Sequence, residues 1–204
     1  MKTITTSQKL ICGIALLGTT LLISCGTNRK VKVAELPKAK TIEILAVNDM
    51  HAAIDNFPRL AFMADSLRNI YPNLLLISGG DNQTGNPAND QYPEKGIPII
   101  ELMNAVKFDM SAVGNHEFDS RLVGFANITH KAKFDFLSAN IDLPKTPDFR
   151  IKPYVIIKSP NGLRTAFVSF LDINDHGVPD THPDNAKGFV FKDPFQTAKD
   201  YLFL

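Results

Sequence analysis

Met110-Ser111-Ala112-Val113-Gly114-Asn115-His116-Glu117-Phe118-Asp119 begins as an apolar run and turns abruptly into a polar cluster. A short apolar run closed by glycine suits a strand buried on both faces. The polar cluster therefore sits at the carboxyl end of a strand. Six such residues could be an ordinary turn, so their meaning depends on two other places where an apolar run ends in carboxylates. These are Asn48-Asp49-Met50-His51 and Gly80-Asp81-Asn82.

Each of the two is preceded by a strand pattern. Thr41 to Val47 is short, apolar and β-branched, and Leu74-Leu75-Leu76-Ile77 is continuously apolar. Between them Pro58 suits the first turn of a helix, and Leu60, Met63, Ala64, Leu67 and Ile70 recur at three- and four-residue steps. After a loop rich in Asn, Pro and Gly (82–96), Ile99, Ile100, Met103 and Val106 form a second helical stripe that leads into Met110. The order is βαβαβ. Its polar ends recur at about 30 residues, the length of a strand plus a crossover helix. Parallel strands with right-handed crossovers would put all three ends on one edge of the sheet, where open α/β sheets bind ligands.

Beyond the motif, Leu122, Phe125, Ala126 and Thr129 predict a further helix, and Phe134 to Leu137 a strand. Tyr154-Val155-Ile156-Ile157 and Arg164 to Phe170 flank Pro160-Asn161-Gly162, and Asn-Gly between apolar runs predicts an antiparallel hairpin. Asp193 as N-cap and Pro194 as first helical residue open a last helix with Phe195, Ala198 and Leu202 on one face.

Composition narrows the class. With 204 residues, 44% hydrophobic and 21% charged, the chain suits a globular domain rather than a disordered or fibrous one. Residues 1–24 differ: Lys2 and Lys9 precede an apolar stretch from Leu10 to Leu22, the pattern of a secretory signal. It ends in Leu22-Ile23-Ser24-Cys25-Gly26, which resembles a bacterial lipobox with Cys25 as the lipidated residue. The expectation is an exported lipoprotein anchored in the cell envelope through an N-terminal lipid; the alternative is an ordinary signal peptide with an incidental cysteine. Residues 25–40 read as a polar tether and 41–204 as the folded part. Cys12 would leave with the signal, so no disulfide and no thiolate ligand is expected in the mature chain. Loss of the two signal lysines takes the net charge from +1 to −1 with no basic block, which disfavours nucleic acid as a partner.

The three strand ends carry metal-binding chemistry. Asp49 and His51 lie two apart in a turn, and carboxylate oxygen and imidazole nitrogen are ligands for zinc, manganese or iron. Alone they are weak evidence for a metal and read as a capped turn. Asp81 follows two glycines that allow close approach, and its two oxygens suit a bridge between cations. Asn115 offers an amide oxygen, and Asp119 is spaced to orient the imidazole of His116. It is their joint placement at one sheet edge that argues for a site.

These blocks resemble the first three signature blocks of the calcineurin-like metallophosphoesterases, and more narrowly those of the bacterial 5′-nucleotidase family, with Asn115-His116-Glu117-Phe118-Asp119 as the specific part. Further similarity runs through Glu101-Leu102-Met103-Asn104, Ser138-Ala139-Asn140-Ile141, Lys152-Pro153-Tyr154 and Gly188 to Pro194. The resemblance implies a four-layer α/β/β/α sandwich holding two divalent metal ions, zinc, manganese or similar, roughly 3.5–4 Å apart. It implies Asp49 and His51 on one ion, Asn115 on the other and Asp81 as the bridge, with His116 and Asp119 as a catalytic dyad. The implied reaction is hydrolysis of a nucleotide by in-line attack of a metal-held hydroxide. The family's later Ser-His or Asn-His and Gly-His-x-His blocks do not occur here, nor does its C-terminal substrate-binding domain. His130, His176 and His182 lack those flanks and read as structural or solvated. The expectation is therefore an incomplete sandwich, a βαβαβ core plus hairpin, that is either a fragment requiring its other half or an inactive lipid-anchored remnant. A phosphate-cradling P-loop is disfavoured, because Asn86-Pro87 stands where Lys and Ser/Thr are required after Gly80 and Gly85.

Overall fold

Each predicted strand end proves to be the end of a parallel strand. The computed structural model describes residues 39–204, which form one unit. The signal segment, Cys12, Cys25 and all but the last two residues of the tether lie outside the described residues. β1 (Ile44–Val47), β2 (Leu75–Ser78), β3 (Met110–Ala112), β4 (Asp135–Leu137) and the short β6 (Ile151–Lys152) form a five-stranded parallel sheet in the order β1-β2-β3-β4-β6.

Strand order that never reverses, combined with right-handed crossovers, sends every connecting helix to the same face. Helices α1 (Phe57–Ile70), α3 (Ile97–Val106) and α4 (Arg121–Lys131) accordingly pack side by side, α1 on α3 and α3 on α4. Ile99, Ile100, Met103 and Val106 of α3 are buried as their spacing predicts, as are Phe125, Ala126 and Thr129 of α4. In α1 the buried stripe differs from the expected one. Phe57 and Ala64 are buried, with Leu60 and Ala61 packed beside the core, whereas Met63 and Ile70 are 43% and 66% exposed. The helix starts at Phe57, and Arg68 instead reaches across to the carbonyls of Val106 and Lys107, which rotates the buried face away from Met63.

Pro153 has no N–H to continue the ladder of β6. The chain bends there and enters a separate antiparallel pair, β7 (Tyr154–Lys158) with β8 (Arg164–Val168), closed by the predicted Asn161-Gly162 turn with Gly162 at φ +80°. A second small sheet pairs β5 (Ile141–Asp142) with β9 (Val190–Phe191). Two short helices, α2 (Pro87–Asp90) and α5 (Pro194–Lys199), in which Asp193 caps the N–H of Gln196 at 2.8 Å, and two 3₁₀ helices, Ile54–Asn56 and His116–Ser120, complete the described residues. The α5 face expected to pack is open, with Phe195 80% exposed.

The core is strongly aromatic. Phe118, from the opening motif, is fully buried, and its ring meets Phe125, Phe189 and Phe191 edge-on at 5.1, 5.0 and 5.5 Å. Such pairs add about 0.5–1.5 kcal/mol each beyond area burial, so the motif is pinned from beneath.

Candidate metal centre

The three strand-end turns are stitched to one another by backbone. The N–H groups of Asp49, His51 and Ala52 donate to the carbonyls of Gly80, Asp81 and Asn82 at 3.1, 3.0 and 2.8 Å. The third turn joins through Asp81, whose Oδ1 accepts the N–H of His116 at 2.9 Å. Only glycine fits between them: a Cβ on Gly80 would lie 2.9 Å from Gly114 N, and one on Gly114 would lie 2.3 Å from Asp81 Oδ1. Asp49, His51 and Asp81 all adopt left-handed backbone, with φ of 50°, 45° and 52°. Each such non-glycine residue costs on the order of 1–3 kcal/mol, a strain that gathers at sites where side chains must be re-aimed.

The individual donors are prepared. His51 Nδ1 lies 3.1 Å from the Thr84 carbonyl, which can only accept, so Nδ1 carries the proton and Nε2 keeps its lone pair. That Nε2 stands 4.0 Å from Asp49 Oδ1, and Asn48 donates to the other Asp49 oxygen. The Asn115 amide donates through Nδ2 to the Asp180 carbonyl at 2.9 Å, which leaves Oδ1 available as an acceptor. Asp81 and Asn115 line a shared cavity of about 440 Å³ with Asp172 and Asp180, and Asp49 and His51 lie outside that lining. Carboxylate, imidazole and amide donors suit a divalent ion in kind. Among the described residues, no three His, Cys, Asp or Glu side chains converge on one point, so the donors stand as neighbours rather than as a closed shell.

His116 and Asp119 meet at 2.9 Å, Nδ1 to Oδ2. The His116 ring also packs edge-on against His51, centroids 4.7 Å apart, which brings the dyad beside the first donor pair. Asp119 Oδ2 further accepts from Thr84 Oγ1 at 2.6 Å, and Oδ1 from Asn185 Nδ2 and Thr181 Oγ1 at 2.9 and 3.2 Å. Burial, the largest single influence, pushes the Asp119 carboxyl upward; the Thr84 and His116 bonds together with the charge of His116 outweigh it and hold the group below the usual carboxylate range.

Sequence reasoning assigned no role to Glu117, which is fully buried and joins two of the three segments of the site, the Gly80-Asp81-Asn82 turn and the Gly114 turn that carries it. It accepts from Asp81 N (3.1 Å), Asn82 N (2.8 Å), Asn82 Nδ2 (3.1 Å) and Gly114 N (2.6 Å). Burial pushes its carboxyl above the ordinary value and the Asp81 charge adds to this, while the N–H donors pull it down. The available signal was a charged residue flanked by a residue as apolar as Phe118. Of the other histidines, His130 lies 3.4 Å from Asp148 Oδ2 and His182 lies 3.8 Å from Asp184 Oδ2. His176 sits in a turn, its N–H bonded to Asn174 Oδ1.

Comparison with known proteins extends these observations. The family model described as calcineurin-like phosphoesterase matches residues 42–204. Protein UshA of Salmonella pullorum is 30% identical over 187 residues, covering 85% of this chain and 32% of that protein. Human 5′-nucleotidase is 32% identical over 118 residues, covering 49% of this chain and 20% of that protein. Among solved structures, the 5′-nucleotidase precursor of Thermus thermophilus superposes with a TM-score of 0.68 at 22% identity, over 79% of this chain and 34% of that one, a likeness of fold. The chain thus spans about a third of the length of relatives such as UshA.

Proposed function

The chain belongs to the calcineurin-like phosphoesterase family, and from that premise we propose that it supplies active-site residues of a metal-dependent phosphoester hydrolase of 5′-nucleotidase type. One observation carries the reading: Asp49, His51, Asp81, Asn115 and His116, spread over three strand ends, are joined in one hydrogen-bonded edge with Asp81 at its centre. The nucleotide substrate is inferred from relatives that bear the name 5′-nucleotidase.

Asp49 and His51 would hold one divalent ion, Asn115 a second, and Asp81 would face both. Bound there, the ions would polarise the phosphoester and activate water toward phosphorus. The protein's own residues prepare this. Thr84 fixes the His51 ring with Nε2 outward, and Asp180 turns the Asn115 amide so that its oxygen remains free. With Nδ1–H committed to Asp119, His116 has Nε2 left to hold a proton against a phosphoryl or leaving-group oxygen.

The test is calorimetric titration with Mn²⁺ or Zn²⁺ followed by phosphate release from AMP. Divalent binding that Asp81→Asn and Asn115→Ala weaken supports the ligand assignment; no binding overturns it. His116→Ala should lower turnover by about 10²–10⁴-fold while metal is retained, and metal loss with an intact fold would count against its catalytic role.

A second reading has its own observation. The Asp49 and His51 side chains are 60% and 42% exposed, an open flank that further donors could close. In that reading the chain binds ions weakly and turns over only when complemented by a second polypeptide segment. Turnover of AMP by these 204 residues alone would exclude it. The Leu22-Ile23-Ser24-Cys25 pattern supports anchoring of the chain to the cell envelope by lipid on Cys25. Cys25→Ser should then move the protein from the membrane to the soluble fraction.

A further inference from the structure

Asp119 has one histidine to orient, yet its carboxylate accepts hydrogen bonds from four residues. Oδ2 takes His116 Nδ1 at 2.9 Å and Thr84 Oγ1 at 2.6 Å. Oδ1 takes Asn185 Nδ2 at 2.9 Å and Thr181 Oγ1 at 3.2 Å, and the same Asn185 amide lies 3.3 Å from Thr181 Oγ1. Both Oδ1 partners come from the loop beyond Leu171, more than 60 residues from Asp119 in sequence. That loop also holds Asn115, through the Asp180 carbonyl.

We propose that Asp180 to Asn185 is a positioning strap, in which Thr181 and Asn185 act through Asp119 to lock the His116 imidazole in the tautomer protonated at Nδ1. The functional value of the lock rests on the reading of His116 as a catalytic group. Asn185 Nδ2, which can only donate, sits on Oδ1, and the Thr84 and Thr181 hydroxyls also donate to the carboxylate, so Asp119 acts as an acceptor. His116 Nδ1 must then be the donor, and Nε2 is the atom left free for the substrate side. Without the Oδ1 anchors, the only hydrogen-bond partner of the Asp119 carboxylate other than His116 among the described residues is Thr84, on the Oδ2 side. The carboxylate could then rotate about its Cβ–Cγ bond and release the ring. Two local turns set the strap's shape: Thr181 N–H bonds the Pro179 carbonyl and Asn185 N–H the His182 carbonyl, each at 2.8 Å. Outer partners of this kind are commonly worth 10–100-fold in the function of the group they orient.

The experiment is long-range ¹H–¹⁵N NMR of the histidine rings in the full chain, stripped of metal with a chelator. His116→Gln identifies the His116 signals among the five histidines. The wild-type ring should show a proton on Nδ1 and a bare Nε2. In Thr181→Val and Asn185→Leu, which keep side-chain size but remove the donor, the Nε2-protonated form should rise several-fold, and Thr181→Ser should restore the wild-type pattern. A wild-type ring protonated on Nε2, or folded Thr181→Val with an unchanged His116 spectrum, overturns the proposal. Thr181→Val and Thr181→Ser decide the matter alone if Asn185→Leu does not fold. Neither substrate nor metal enters this readout, so failure of the hydrolase reading would show in the AMP assay and leave the tautomer result standing.

Discussion

Glu117 accepts hydrogen bonds from residues of two separate strand-end turns while being itself fully buried, so it ties the two together from beneath. Glu117→Gln keeps its shape but turns an NH₂ toward N–H donors that now sit 2.6–3.1 Å away. Leaving buried donors unpaired costs about 1–3 kcal/mol, so the urea midpoint should fall with an unchanged m-value; an unshifted midpoint would show that the four bonds contribute no net stability. Asp119 gives a pH-dependent counterpart. Its folded-state value lies below its unfolded one, so the ionised group favours the folded chain above the ordinary carboxylate value of 3.8, and this contribution is lost as pH falls through the lowered folded value. The difference in urea midpoint between wild type and Asp119→Asn should therefore be constant near neutral pH and shrink below about pH 4. A difference that grows on acidification would contradict the assignment. The His116–Asp119 pair was legible because three residues in one turn bring the two side chains together. Thr84, Thr181 and Asn185 were not, because partners 35, 62 and 66 residues away carry no local signature. Glu117 escaped notice because its burial is a property of the assembled sheet.

Among the elements, the βαβαβ order could be read from apolar runs that end in polar, carboxylate-bearing turns, and so could the Asn161-Gly162 hairpin and the Asp193 cap, since each depends on neighbours in the chain. The buried face of α1 could not, because Arg68 finds its acceptors at the end of α3, 38 and 39 residues away. The smaller β5–β9 sheet was equally hidden: two-residue strands have no periodicity to detect. What holds that sheet to the rest is Asn140, fully buried, which accepts from Leu171 N at 2.8 Å and donates to the carbonyls of Leu171 and Lys192 at 2.9 and 3.0 Å. One amide thus joins β5, the segment after β8 and the start of the chain that enters α5. Asn140→Ala removes these three bonds and a fourth from Ser138 Oγ at 3.3 Å, and leaves buried backbone groups unpaired, which predicts a loss of about 2–4 kcal/mol in chemical denaturation. Asn140→Asp should cost at least as much, because a carboxylate would face two carbonyl oxygens; a stability equal to wild type in either variant would remove Asn140 from this role. The loop carrying Thr181 and Asn185 begins at Leu171, so Asn140→Ala should also raise amide exchange across residues 172–188.

At the scale of the whole molecule, two properties act together. The chain is nearly neutral, +1 at pH 7, and so has little charge repulsion between copies. It also leaves large apolar side chains in water at one end of the sequence: Phe195 at 80% exposed, Leu202 at 84% and Phe203 at 69%. Phe203 still rests on Tyr154, with ring centroids 6.0 Å apart, whereas Phe195 has no ring neighbour among the described residues. Burial of an exposed phenylalanine or leucine is worth about 1.5–3 kcal/mol, enough for copies of the chain to associate through this surface at moderate concentration. Sedimentation velocity should therefore show a weight-average mass that rises with protein concentration. Phe195→Ser with Leu202→Ser should flatten that dependence, and should do so without moving the thermal midpoint, because neither side chain is buried and Ser and Phe have similar helix propensities. If the double variant associates as strongly as wild type, the contact lies elsewhere. If instead its midpoint falls by several degrees, these two side chains are packed in solution and the exposed surface is not the one described.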